Sequence, residues 1–390
     1  MKKVAIIYPE FFVGGTTTSL IFLLNSLDYS KVDVDLLVYK NEGELKHNIN
    51  HHVNIVDVGL HISKISMFFC SLFSGKLFLL FVKTLFKKDF LKHFRMGISQ
   101  LGAFYRSKKS KVVEKKYDLA IGFMEFWANE YLLCVDSKKR NMIIHPNYSS
   151  ACFNLFLDLS KFEAVNNISF VSKSNCDSFN VLTNNKFYHK VMLFPNILDK
   201  QTILNMSSEM TDISIFKDTC LLVTSARIES YVKGFDRMID VALELKNKGF
   251  AFKWLVVGGG ADEKTVKKKI VSLGIEKFFI FFGQQINPYK YMALADYFVL
   301  LSRREGRPMS VDEAIILGRK CVVTSYETAN EQLNNGQYGF VVSNEKFSAK
   351  LVADIISNDY LDNKGNGINR GQSDLLIRNK KIVEDYIYEN

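Results

Sequence analysis

The sequence predicts an α/β protein built from two parallel-sheet units, and three observations carry that prediction. Short, wholly apolar runs alternate with segments of helical periodicity, as expected of strands buried on both faces by helices. The alternation gives way to a polar, weakly periodic stretch that begins near Pro195, and it restarts at Cys220. At 390 residues the chain also exceeds what one hydrophobic core ordinarily supports, roughly 100–200 residues per domain.

The first unit opens with "KVAIIYP" as a strand. In "MKKVAIIYPEFF", Pro9 and Glu10 interrupt the apolar run before it reaches the length of a signal peptide. Thr16 to Leu27 reads as a helix and "VDVDLLVY" as the next strand, followed later by "YDLAIGF", "NMIIHP", "AVNNISFVS" and "KVMLFPN". The second unit runs through "CLLVTSAR", the helix "FDRMIDVALELKNKG", "FKWLVVGGG", the helix "KTVKKKIVSLG", "FFIFFG", "YFVLLS" and "KCVVTS", and "LLIRNKKIVEDYIYEN" reads as a terminal helix. The expected division is 1–197, 198–374 and a helix over 375–390. Open parallel sheets bind ligands beyond the carboxyl ends of their strands, so the chemistry is expected in strand-to-helix loops, beside a cleft between the two units.

Hydrophobic residues at 47% and charged residues at 24%, with only five prolines, predict ordered globular structure throughout. Six scattered cysteines without a C-x-x-C pair suit reduced thiols and a cytoplasmic setting. The net charge of +10 concentrates between Lys64 and Lys116, where Asp89 and Glu114 are the only acids. In "ISMFFCSLFSGKLFLLFVKTLF" (65–86) two lysines argue against a membrane span. On a helix, Lys76, Lys83 and Lys87 fall within about 40° of one another. Two accounts fit: an interfacial helix drawn to an anionic membrane surface, or a core helix with a solvated lysine edge. Nucleic acid is disfavoured, because the aromatics are Phe embedded in Leu rather than spaced stacking platforms.

The densest chemistry lies in "SRREGRPMSVDEAIILGRK" (302–320), a loop between the strand "YFVLLS" and the helix "SVDEAIILG". Pro308 suits a first helical turn. The amides of Met309 and Ser310 are then left without helical partners, and such a helix start attracts phosphate. Gly306 allows close approach of a ligand. Glu305 and Glu313, eight positions apart, can face one small ligand and accept paired hydrogen bonds from a sugar or ribose diol. The alternative is that they form ordinary ion pairs with Arg303, Arg304 or Arg307.

In "TSARIESYVKGFDR", Arg227 follows a buried strand and Lys233 and Gly234 precede a helix, which supplies a planar fork and a point charge for a diphosphate. Gly14 and Gly15 open a helix in "PEFFVGGTTTSL", as a ligand loop or a tight turn. Gly258 begins a third Gly-rich turn, which lacks the spacing of a dinucleotide fingerprint. His145 follows a buried strand and is either structural or catalytic. His47, His51 and His52 lack metal-ligand partners, and Asp33 to Asp35 reads as a solvated strand face rather than a D-x-D cation site.

"SARIESYVKGF", "WLVVGGG", "FFIFFGQ", "ALADYFVLLSRREGRPMSVDEAIILGRKCVVTS" and "NNGQYGFVV", in this order, resemble the carboxyl-terminal domain of glycosyltransferase family 4 (glycosyl transferases group 1) over about residues 220–345. "FFVGGTTTSL", "IIHPNY", "FVSKSNCDSF" and "FPNILD" resemble its amino-terminal domain more loosely. The resemblance implies the GT-B fold, two Rossmann-like domains facing across a cleft, and retaining transfer without metal or cofactor. It implies an acceptor-binding first domain, a nucleotide-sugar-binding second domain, and a terminal helix that crosses back to the first.

By position it places Glu305 at the donor hexose, Glu313 at the ribose, and Arg227 and Lys233 at the diphosphate. His145 falls near the reacting centre and Gly14 and Gly15 in the loop over the phosphates. Gly306, Met309, Ser310 and Gly258 complete the donor-binding set. The chain departs from the family pattern at Ala226, Arg307 and Lys320; Arg307, expected close to the donor, would bear on which sugar is taken.

The expected function is transfer of a hexose-type unit from a nucleotide donor, with UDP favoured, to a lipid-linked or growing surface polysaccharide. Residues 64–116 would hold the protein peripherally at the inner face of the cell membrane. The rivals are a non-catalytic nucleotide-sugar-binding partner of another transferase and a GT-B sugar-nucleotide epimerase.

Overall fold

The computed structural model describes residues 1–60, 75–87, 89–210, 219–363 and 373–389. The strands are β1 (Lys2–Tyr8), β2 (Val32–Val38), β3 (Asn54–Asp57), β4 (Tyr117–Gly122), β5 (Ser137–Ile144), β6 (Asn167–Phe170), β7 (Val191–Leu193), β8 (Cys220–Ser225), β9 (Phe252–Val257), β10 (Phe279–Gly283), β11 (Tyr297–Leu300), β12 (Lys320–Thr324) and β13 (Gly339–Val342). The helices up to the middle of the chain are α1 (Gly15–Ser26), α2 (Lys76–Thr84), α3 (Phe90–Lys109), α4 (Trp127–Tyr131), α5 (Leu155–Ala164), α6 (Lys173–Leu182) and α7 (Lys200–Ser207). They continue as α8 (Phe235–Asn247), α9 (Glu263–Ser272), α10 (Tyr289–Met292), α11 (Met309–Ile316), α12 (Ala329–Gln332), α13 (Ala349–Asn363) and α14 (Ser373–Glu389).

The chain divides into two compact units, 1–197 with 377–390, and 198–376. The first holds a seven-stranded sheet in the order β3-β2-β1-β4-β5-β6-β7, and the second a six-stranded sheet in the order β10-β9-β8-β11-β12-β13. Every strand pairing is parallel. Parallel sheets need helical crossovers on their faces, so central strands are buried on both sides and lose the in-out alternation. Val4 to Tyr8 are accordingly all buried, as are Tyr297 to Leu300. Both sheets are doubly wound: chain order reverses between β1 and β4 in one and between β8 and β11 in the other.

The core of the first unit is aromatic, with Tyr131, Phe162, Phe170 and Phe179 fully buried. The second packs Phe235, Ile239, Phe252 and Trp254, and the Trp254 indole N–H donates to Thr224 Oγ1 at 3.0 Å, which satisfies its one polar atom. The five described cysteines, Cys134, Cys152, Cys176, Cys220 and Cys321, are free thiols, buried or half-buried.

Two segments differ from the sequence expectation. Part of the polar stretch after Pro195 is helical: α7, capped by the Asp199 carboxylate on the Thr202 amide at 3.1 Å, belongs to the second unit. Its Ile203 is fully buried, and the Met206 carbonyl accepts a hydrogen bond from Asn287 Nδ2 at 2.8 Å. A single buried side chain holds the helix, and that is too weak a signal to show as periodicity. Asp33 and Asp35, expected on a solvated face, both bind Lys115 Nζ, at 3.0 and 2.9 Å. Asp35 is buried and also accepts from Tyr117 and Asn54. Its partners lie 19 and more residues away, beyond the reach of local pattern.

The terminal helix α14 packs on the first unit with Val383 and Ile387 fully buried. Lys2 Nζ donates to the Ile387 carbonyl at 2.6 Å, occupying one of the helix's end carbonyls, and Asn167 Nδ2 donates to the Tyr386 hydroxyl at 2.8 Å. Ile387→Ala should lower unfolding free energy by about 2–5 kcal/mol, read as a lower urea midpoint at unchanged slope.

Candidate functional site

In the second unit the reversal between β8 and β11 sets two loops side by side at the carboxyl ends of those strands, 226–234 after β8 and 301–308 after β11. A crevice at such a reversal is where open α/β sheets take their ligands. The loops are fastened by backbone: the Arg303 amide donates to the Val232 carbonyl at 2.9 Å. Gly234, at φ 74°, has no side chain to collide with the Leu301 carbonyl oxygen, which lies 2.1 Å from where a Cβ would sit. Gly258, at φ 137°, similarly lets the Ala226 carbonyl approach to 2.1 Å of the missing Cβ, so its turn braces the β8 loop.

Across this reversal Lys233 Nζ lies 2.8 and 3.0 Å from the two oxygens of Glu305, whose side chain is 9% exposed. The Ser302 hydroxyl donates to Glu305 Oε1 at 2.7 Å. The carboxylate is therefore held in one orientation by a cation and a hydroxyl, with lone pairs to spare for a further donor. Arg227, on the same loop as Lys233, is exposed and pairs with Glu229 at 2.9 Å. A solvent-exposed pair of this kind is worth little and gives way readily to a stronger anion.

Glu313 lies inside, on α11, and accepts from the Tyr289 hydroxyl at 3.1 Å. Burial pushes its carboxyl up to about 7, opposed by the Tyr289 hydrogen bond and reinforced by neighbouring Asp312. Met309 and Ser310 form the first turn of α11, where amides have no intrahelical acceptor. Thr328 Oγ1 donates to the Gly306 carbonyl at 3.0 Å and Gln332 Nε2 to that of Pro308 at 2.9 Å, which pins the loop that delivers them.

Arg303 and Arg307 have other partners than Glu305 and Glu313. Arg303 forms a fork with Asp236 at 2.8 and 2.6 Å and stacks on Tyr231 at 4.2 Å. Arg307, with a side chain 6% exposed, binds Asp312 through Nε and Nη2, both at 3.1 Å, and Glu331 at 3.2 Å. The expectation that Arg307 bears on the donor sugar is thereby corrected, since its guanidinium is committed to fastening the β11 loop to α11 and α12.

In the first unit Gly14 and Gly15 lie at the start of α1, in the loop leaving β1 at that sheet's reversal. His145 follows β5; its Nε2 lies 2.9 Å from the Phe123 carbonyl oxygen, and its amide donates to the Glu125 carboxylate. Among the described residues no group of three or more His, Cys, Asp or Glu side chains is placed to hold a metal ion. Sequence patterns did not mark Ser302, Tyr289 or Glu125. Tyr289 and Glu125 are placed by contacts 24 and 20 residues apart, which no short motif encodes, whereas Ser302 lies only three residues from Glu305 and was within reach of the local pattern.

Two doubly wound parallel-sheet units, the second with a cation–carboxylate site at its reversal, define a Rossmann-like pair of the GT-B class. Residues 207–369 match the family Glycosyl transferases group 1, so the likeness to that family rests on the second unit and its site. An uncharacterized glycosyltransferase of Methanocaldococcus jannaschii is 24% identical over 148 residues, 37% of this chain and 36% of that protein. N-acetyl-alpha-D-glucosaminyl L-malate synthase of Bacillus anthracis is 26% identical over 136 residues, 34% of this chain and 36% of that protein. The chain thus spans about a third of the length of the curated relatives it matches. The structure of Anabaena HepE in complex with UDP and glucose superposes with a TM-score of 0.66, covering 100% of this chain and 99% of that one at 14% identity, a likeness of fold.

Two outcomes follow from the buried charges. Arg307→Leu leaves the Asp312 carboxylate buried and unpaired and should destabilise the protein by about 3 kcal/mol in urea titration, with Arg307→Lys restoring only part because one ammonium replaces a three-point fork. Glu313 holds its proton more tightly folded than unfolded, so its contribution is fully present below about pH 4.3 and is lost as pH rises through about 7. The stability of the ligand-free protein relative to Glu313→Gln should fall by roughly 3 kcal/mol across that window.

Proposed function

We propose that the protein is a retaining, metal-independent glycosyltransferase that moves a hexose-type sugar from a UDP-linked donor to a lipid-linked or growing surface polysaccharide. The observation that carries this reading is the Lys233–Glu305 pair, 2.8 and 3.0 Å apart, set across the strand reversal beside the first turn of α11. It combines a cation for a diphosphate, a fixed carboxylate for sugar hydroxyls and a helix start for anionic oxygens. The family match and the UDP and glucose bound by Anabaena HepE support the same donor chemistry.

On donor binding the diphosphate draws Lys233 and Arg227 toward its oxygens, while the amides of Met309 and Ser310 donate to them. Glu305, released in part from Lys233 but still held by Ser302, accepts from hydroxyls of the hexose. Glu313 accepts from the ribose, and Gly258 and Gly306 keep the surrounding turns close to the ligand. As the bond from the anomeric carbon to the diphosphate breaks, its electron pair passes to the leaving oxygen, where the fixed positive groups stabilise it. The acceptor hydroxyl bonds to that carbon from the same face, its proton passes to the leaving phosphate, and configuration is retained. The first unit is the proposed acceptor domain, and Gly14, Gly15 and His145 are its residues proposed to take part.

Glu305→Ala and Lys233→Ala should each lower the transfer rate by about 10²–10³, measured with UDP-sugars and a membrane-extracted acceptor. Wild-type rates in both variants would end this reading. Hydrolysis or epimerisation of the donor with no acceptor product would end it equally.

A further inference from the structure

The helix α2 carries its apolar side outward. Of its nine residues only Leu80 and Thr84 are buried, both on one side. At about 100° per residue, Phe78, Phe81, Val82 and Leu85 project to the other side, and all are exposed. Phe78 is 74% exposed, and Phe86, in the turn that follows, 92%. The exposed surface continues onto α3 at Leu91 and Ile98, seven residues apart on one face. A soluble surface scatters its exposed apolar residues, whereas these are contiguous, the usual mark of an interaction site.

Exposed lysines Lys83 and Lys87 flank this face, and Lys92 and Arg95 are exposed on the adjoining start of α3. From residue 75 to 113 the sequence contains one acid, Asp89. Two copies of the protein meeting through this face would bring like charges together, while an anionic surface would be complementary to it. At nine residues α2 is far shorter than the roughly 20 a membrane crossing needs, and among the described residues no helix is long and apolar enough to cross one.

The geometry points to α2 and the first turns of α3 as a membrane-docking element that lies in the interface of an anionic bilayer, with Phe78, Phe81 and Phe86 among the acyl chains and Lys83, Lys87, Lys92 and Arg95 at the headgroups. The element is fixed to the sheet. Leu80 rests on Gly97 of α3. Asn154, in the connection that leaves β5 after His145, donates through Nδ2 to the His93 carbonyl at 2.7 Å, and its amide donates to Gln100 Oε1 at 2.9 Å. Docking therefore holds the β5 loop at a fixed height above the lipid. That the docked protein acts on a lipid-linked acceptor rests on the function proposed above; the docking itself does not.

The test is flotation of the full chain with vesicles of phosphatidylcholine alone and of phosphatidylcholine containing about one third phosphatidylglycerol. The protein should float with the anionic vesicles. The pair Phe78→Ser/Phe86→Ser and the pair Lys83→Glu/Lys87→Glu should each lower partitioning about 10-fold or more, the second effect fading at high salt. All four residues are exposed, so melting temperature should not change, and a lowered one calls for Phe86→Ser alone as the reporting variant. Equal flotation of wild type and both pairs overturns the proposal. So does a failure to float, and so does a concentration-dependent dimer that Phe78→Ser/Phe86→Ser abolishes. Vesicle binding without sugar transfer would leave the docking element standing and remove the transferase reading, and transfer without vesicle binding would do the reverse.

Discussion

The second unit depends on the pairing of β8 with β11, neighbours in the sheet that are separated by 75 residues of chain. Because successive crossovers leave these strands in opposite directions, no helix lies over the space between their carboxyl ends, and the loops that follow them must solve their own contacts. They do so at close range. The Arg303 amide bonds to Val232, the Arg237 guanidinium reaches the Leu301 carbonyl at 3.3 Å, and Gly234 makes room for the same carbonyl. The meeting of Lys233 with Glu305 is the outcome of that fastening.

The cations of this region sort by how many contacts hold each one. Arg303 and Arg307 have their fork geometries satisfied by carboxylates, and Asn344 ties the Arg303 carbonyl to the Arg237 guanidinium. Arg307, with a side chain 6% exposed, would lose several kcal/mol on giving up its partners, and Arg303 joins the same frame through its two-point fork and its contact with Tyr231. Arg227, outermost, can change partner at small cost, and Lys233, on a flexible stem with a single carboxylate partner, can swing to a ligand anion that replaces it. Glu313 has the opposite character, a carboxyl whose burial favours the protonated form until a ligand supplies donors. The site thus pairs a rigid frame with a few exchangeable charges.

The first unit shows the same economy of position around β5. Strand β5 ends at Ile144, directly before His145, and the connection beyond it holds Asn154 on one side against α3 while Asp158 and Lys161 of α5 close an internal network with Glu130 and Tyr148. Lys161 lies 2.6 Å from both Glu130 and Asp158 in a nearly water-free setting, an arrangement stable only while all three keep their partners. Gln100 of α3 joins this network, donating through Nε2 to Asp158 at 2.8 Å.

Sequence by itself determined the class of the fold, most of its strands in order, the loop positions of Arg227, Lys233, Gly258 and Glu305, and the place of Glu313 on the helix that follows. These follow from local pattern: doubly buried strands are apolar throughout, and helix starts carry Gly and Pro at fixed offsets. Tertiary structure decided which charge meets which. Motif spacing left Glu305 and Glu313 free to pair with any neighbouring arginine, and only the loops folded together show Glu305 on Lys233, Glu313 on Tyr289 and Arg307 on Asp312. It decided also which way α2 faces, since periodicity identifies an apolar side but not whether another element covers it. Both are matters of contacts between residues distant in the chain, whose energies no window of sequence contains.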